Sequence, residues 1–237
     1  PGKLEDLALY AVDQHVMSGG KLIVFVDPLA EMDAPGAAGM SIPSGSSSEL
    51  NRLTSNWGVS LRGGEVLGDS EAALMVGGAD GAPVRHLGIL GFTSQYFSGD
   101  DIVTAGLEAI NFSTAGILDV DEVDGIDAKP LIVSSSAAGS LDAIQFQFLN
   151  DPAELQPGFQ STGENHSVAV RLSGKSPSSF PEMSGRETHI AETDQLNVVI
   201  VADTDVLSDR LWVQVQNFFG QQVASAFADN GSFVANL

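Results

Sequence analysis

Lys21-Leu22-Ile23-Val24-Phe25-Val26-Asp27-Pro28 is the stretch that decides the fold. The run from Leu22 to Val26 is wholly apolar, which fits a strand buried on both faces, and Pro28 closes it because proline supplies no ladder donor. Upstream, Leu4, Leu7, Ala8, Ala11, Val12 and Val16 recur at three- and four-residue spacing. They predict the buried face of an amphipathic helix that Gly19-Gly20 ends. Working outward, a second apolar run from Leu196 to Ala202 leads directly into Asp203-Thr204-Asp205. Beyond it Leu207, Leu211, Val215 and Phe218 repeat at helical spacing, with Phe219 beside them and Gly220 after them, and predict a core helix.

Further strands are expected at Val84 to Phe92, Gly116 to Val120, Leu131 to Ser134 and Val168 to Leu172, each bounded by turn residues. Glu31 to Ser48, rich in Gly, Ala, Pro and Ser, reads as a long surface loop. Ser46 and Glu49 then match a capping box for a short helix carrying Leu50, Leu53 and Trp57 and closed by Gly58. Strands alternating with helical patterns predict an α/β fold, a mostly parallel sheet flanked by helices, in one domain spanning 1–237. Residues 150–194, with several prolines and many serines, read as an irregular elaboration on that sheet.

A hydrophobic content of 43% in 237 residues is enough for a sizeable core. Ten basic against 31 acidic residues leave a net charge of −21, a field that repels nucleic acid and anionic lipid headgroups. Such a surface favours solubility, with a divalent-cation role as the minor alternative. With no cysteine, disulfides, zinc-thiolate sites and thiol nucleophiles are excluded. No stretch reaches the ~20 continuous apolar residues of a membrane-spanning helix. Pro1-Gly2-Lys3 runs straight into a helical pattern, as expected of a piece cut from a longer protein.

The candidate ligand or interaction edge is acidic. Asp27 and the pair Asp203 and Asp205 stand at strand ends, where open parallel sheets gather ligands, and Asp209 follows. Such carboxylates hold magnesium in some proteins and cap helix N-termini in others. The run Asp119 to Gly125 resembles a calcium loop, but its register fails: the glycine comes one place late and Pro130 stands where a bidentate Glu belongs. It reads as a solvated acidic turn. His15, His86, His166 and His189 lack metal-ligand spacing. Ser134-Ser135-Ser136 has no Gly-x-Ser-x-Gly elbow around it, and no phosphate-cradling glycine loop is present. No catalytic residue, metal site or cofactor is therefore assigned. Two alternatives remain: a hydrolase using Asp27, Asp203 and Asp205, or a solute-binding domain whose pocket is lined by Trp57, Tyr96, Phe97 or Trp212.

Three ordered stretches carry a resemblance. They are Leu9 to Val16 with Gly19-Gly20-Lys21-Leu22 and Phe25-Val26-Asp27-Pro28; Val168 to Lys175 with Ser179-Phe180-Pro181; and Val201 to Trp212, continuing through Asn217-Phe218-Phe219-Gly220 to Phe227-Ala228-Asp229-Asn230-Gly231. Together the chain resembles the auxiliary component of gliding-motility-type ABC transporters, whose central region is related to the intraflagellar-transport-like domain. The resemblance implies a flavodoxin-like or glutamine-amidotransferase-like domain on the periplasmic or other extracytoplasmic face of a bacterial inner membrane. It also implies transmembrane anchors in flanking sequence and partnership with ABC permease and ATPase subunits. The role expected from it is non-catalytic, in protein interaction or ligand sensing within the transporter complex. Amidotransferase chemistry uses a cysteine nucleophile, which this sequence lacks.

Overall fold

The computed structural model describes residues 4–33, 46–218 and 221–237. In chain order these form α1 (Asp6–Met17), β1 (Leu22–Phe25), β2 (Asp27–Ala30), β3 (Ser46–Ser48), α2 (Asn51–Thr54), β4 (Val59–Asp69), β5 (Ala73–Gly77), β6 (Pro83–Thr93), β7 (Ala109–Ser113), β8 (Gly116–Val120), β9 (Ile126–Val133), β10 (Ala138–Asp142), α3 (Ala143–Gln147), β11 (Ser167–Pro177), β12 (Glu192–Val201), β13 (Val213–Phe218), β14 (Gln221–Ala226) and α4 (Asn230–Asn236).

The main sheet has seven strands in the order β1-β12-β11-β8-β4-β10, with β9 also paired to β11. Only β1 and β12 run parallel; the other pairings described in this sheet are antiparallel. A separate sheet, β5-β6-β7, is an antiparallel meander, and β2-β3 and β13-β14 form two ribbons. The expected mostly parallel sheet flanked by helices, and with it the flavodoxin-like or amidotransferase-like fold, is thus corrected to a mixed, mainly antiparallel architecture. No helix lies in the connections from β7 through β10, so no helical crossover sets parallel neighbours there, and the antiparallel pairs β4-β8, β4-β10, β8-β11 and β9-β11 join strands that are not consecutive in sequence. The segment 150–194 supplies β11, which pairs on both sides.

Two-sided burial explains the misleading apolar runs. Val199 and Val201 of β12 enter one core with Phe92, Ile110 and Phe112, while Val198 and Ile200 enter another with Leu9, Val16, Trp57 and Phe180. Each face of the sheet is therefore covered, one by the meander and one by α1 and α2. A strand covered on both faces is apolar throughout whichever way its neighbours run.

Helix α1 buries Leu9, Tyr10, Asp13, Val16 and Met17, and leaves Leu4 and Leu7 46% and 56% exposed. Of the expected face, Leu4, Leu7, Ala8 and Ala11 thus point outward, whereas Val16 is fully buried and Val12 packs against the core. The face turned inward includes a carboxylate because Ser178 Oγ and the Ser179 N–H donate to Asp13 at 2.7 and 2.8 Å. The short helix falls where expected, with Leu53 and Trp57 fully buried and Gly58 in a left-handed conformation at φ 82°. A side chain there would meet the Asp121 carbonyl at 2.5 Å. The capping box does not form: Ser46 belongs to β3, and the Glu49 carboxylate accepts the Asn51 N–H.

The expected core helix over Leu207 to Phe219 is replaced by 3-10 turns at Asp205–Leu207 and Asp209–Leu211 and then by β13. Val213-Gln214-Val215-Gln216 alternates with period two, and that β signal overrides the helical spacing of Leu211, Val215 and Phe218. Phe219 and Gly220 lie outside the described residues.

Candidate functional site

The one parallel pairing among the described residues builds the site. β1 and β12 run side by side with Phe25 opposite Val201, so Asp27 and Asp203, each two residues further on, emerge together at the same edge. Asp205 joins them from the turn beyond. One carboxylate oxygen from each of the three lies within 4.8 Å of the other two, and the residues are 0%, 0% and 1% exposed.

Main-chain donors converge on all six oxygens. Asp27 accepts the Leu29 N–H on Oδ1 and the Thr204 N–H on Oδ2, both at 2.8 Å, and the Thr204 hydroxyl also donates to Oδ2 at 2.6 Å. Asp203 accepts the Ser113 N–H at 2.8 Å and the Val206 N–H at 3.1 Å on its two oxygens. Asp205 accepts the Glu31 and Met32 N–H groups at 2.9 and 3.0 Å. The cluster therefore ties together the β2 segment, the end of β7 and the 203–211 turn. It resembles the spacing of a divalent-cation site, but every oxygen already serves the chain's own backbone.

Charge is strained here. Burial pushes the Asp27 carboxyl up to about 6, Asp205 adding repulsion while the Thr204 and Leu29 donors oppose the rise. Burial, then the neighbouring Asp27, holds Asp203 well above the usual carboxylate range. Asp205 is raised too, by burial against the pull of the Glu31 and Met32 N–H groups. Compensation comes from Arg210, which pairs with Glu31 and lies 3.6 Å from Asp205. Glu31 in turn accepts the Ser113 hydroxyl at 3.0 Å. Beside Ser113, Thr114 is held at φ 53°, a left-handed conformation rare for a β-branched residue. Its hydroxyl contacts the Leu29 and Ser113 carbonyls at 2.9 and 2.7 Å, and these contacts keep it there.

Of the four expected edge residues, Asp27, Asp203 and Asp205 come together, whereas Asp209 is exposed at the start of its own turn and stands apart. Glu31, Ser113, Thr114 and Arg210 complete the cluster, and sequence reasoning missed them. Arg210, one of the chain's few bases, five residues beyond Asp205, was the available signal.

The remaining candidates are placed elsewhere. Asp119 is occupied by Arg62 at 2.7 Å, next to the acidic turn. Ser134 and Ser135 are buried, and the Ser135 hydroxyl donates to Asp69 at 2.7 Å. His86 is buried and its pKa lowered by that burial, and its Nδ1 accepts the Gly88 N–H. Trp57 is core, Tyr96 and Phe97 pack against the other core, and the Trp212 ring lies over Gly231.

Fold and site together define a mixed-sheet domain whose most concentrated polar chemistry is a buried carboxylate knot at the edge of a single parallel strand pair. The comparisons then name its kind. Residues 1–237 match the model of the family described as an ABC-type uncharacterized transport system, and the chain belongs to that family, as an auxiliary component of ABC transport. No curated protein and no solved structure matches it.

Proposed function

We propose that this chain is a non-catalytic, extracytoplasmic part of the auxiliary subunit of a gliding-motility-type system, acting by contact with the permease and through it with the ATPase subunit. The observation that carries the proposal is the fate of the acidic cluster. All six oxygens of Asp27, Asp203 and Asp205 accept main-chain N–H groups, and the residues are at most 1% exposed. A hydrolytic carboxylate must reach its substrate within hydrogen-bond distance. These three are spent on holding segments together, so the strand-end hydrolase has no geometric support. The aromatic pocket fares no better, because Trp57 is fully buried and Trp212 sits elsewhere over Gly231.

Family membership supplies the context of an ABC transport system. Affinity capture of the tagged full-length protein from detergent-solubilised membranes is expected to recover the permease and ATPase subunits. Recovery of neither overturns the proposal.

A further inference from the structure

From Leu211 to Phe227 the sequence contains no Asp, Glu, Lys or Arg, in a chain whose net charge is −21. That uncharged stretch carries the paired strands β13 and β14. Its strands pair from Val213↔Ala226 to Phe218↔Gln221 with no bulge, and among the described residues they pair only with each other. Every residue of β14 is exposed.

Val215 stands opposite Ala224, and Gln216 opposite Val223. Side chains alternate along a strand, so Val215 and Val223 occupy opposite faces of the ribbon. They are 58% and 49% exposed, so both faces of the ribbon are open to solvent at these positions. A two-stranded ribbon standing alone in water is marginal, and natural sheets protect exposed edges with lysine, proline or a bulge. Gln221-Gln222-Val223-Ala224-Ser225-Ala226 has none of these.

We propose that the free edge of β14 is a docking surface, to which an uncharged edge strand of the permease subunit adds as a third strand. This rests on the reading of the chain as an interaction module. What the edge offers is a row of main-chain N–H and C=O groups, and a strand is the structure that satisfies such a row. An uncharged strand fits because a charge buried against this ribbon finds no counter-ion within Leu211 to Phe227. A second copy is disfavoured because it brings another −21 to the contact. Gln221, Gln222 and Ser225 make the edge too polar for the hydrocarbon of a bilayer.

The test places edge-protecting lysines on β14 in the full-length protein, as Val223→Lys with Ser225→Lys, and repeats the affinity capture. Both positions are exposed, so the fold is expected to persist, checked by circular dichroism. Met75→Lys, on an exposed position of β5, is the control. The β14 variant is expected to recover at least about tenfold less permease or ATPase subunit than wild type, with the control unchanged. Equal recovery by wild type and β14 variant overturns the docking edge while leaving the interaction role standing. No recovery even by wild type overturns the interaction role and the edge with it. A wild-type homodimer in light scattering that the lysines dissolve, with subunit recovery unchanged, overturns it in favour of self-pairing.

Discussion

Asp27 shows how a single residue links stability to pH. Its carboxyl titrates near 6 in the folded chain because burial disfavours the charge, against about 3.9 in an unfolded one. A raised folded pKa contributes stability that is complete below the unfolded pKa and lost as pH rises through the folded one. The difference amounts to about 3 kcal/mol lost between roughly pH 4 and pH 7. Asp203 and Asp205 shift the same way. Asp101 works in the opposite sense: Arg171, bonded to it at 2.8 and 3.0 Å, holds it below the usual range despite burial, so its contribution is lost as pH falls. Thermal melts are therefore expected to peak at about pH 4, and Asp27→Asn to flatten the decline between about pH 4 and 6. A melting temperature that rises steadily from pH 5 to 7 would contradict this assignment. The placing of Asp27, Asp203 and Asp205 was legible, since each follows an apolar strand. That their oxygens would all be consumed was not, because the donors at Glu31, Met32 and Ser113 are remote from Asp203 and Asp205 in sequence. Asp209 looks the same in sequence and differs only in the turn that carries it outward.

At the scale of elements, α1 shows why periodicity alone picks the wrong face. Leu4, Leu7, Ala8 and Ala11 form a fair apolar stripe, yet the helix turns Asp13 inward because a serine pair 165 and 166 residues away supplies its donors. Asp13→Ala removes the acceptor of two buried donors and is expected to cost roughly 3 kcal/mol. It should lower the urea midpoint with the slope unchanged. Leu7→Ala, on the exposed face, is expected to stay within about 0.5 kcal/mol. The reverse order of effects would restore the outward face as the buried one. The apolar run at Leu196 to Ala202 correctly reported burial on both faces, whereas in the run at Leu22 to Val26 Ile23 is 44% exposed on an edge strand, and neither run told which way its neighbours run. Pairing direction depends on which strands meet, and β4-β8, β4-β10 and β8-β11 join strands far apart in the chain, which no local pattern announces. At 207–219 two periods competed, and the alternating Val-Gln-Val-Gln decided the outcome.

Across the whole molecule, charge is unevenly distributed. Acids cover the chain at large, while the stretch from Leu211 to Phe227 has none. The buried carboxylates act inward, on the backbone, and the neutral ribbon projects outward. On the proposed reading, contact with partners belongs to the surface, and the acidic knot serves the fold. Asp203→Asn in the full-length protein separates the two roles most directly, by measuring subunit capture and ATP hydrolysis of the captured complex against the folded fraction from circular dichroism. Both are expected to fall together and only in proportion to the folded fraction. A variant that folds and captures its partners like wild type, yet abolishes the complex's ATP hydrolysis, would show that the carboxylates act in the working complex beyond holding the fold and contradict their purely structural role.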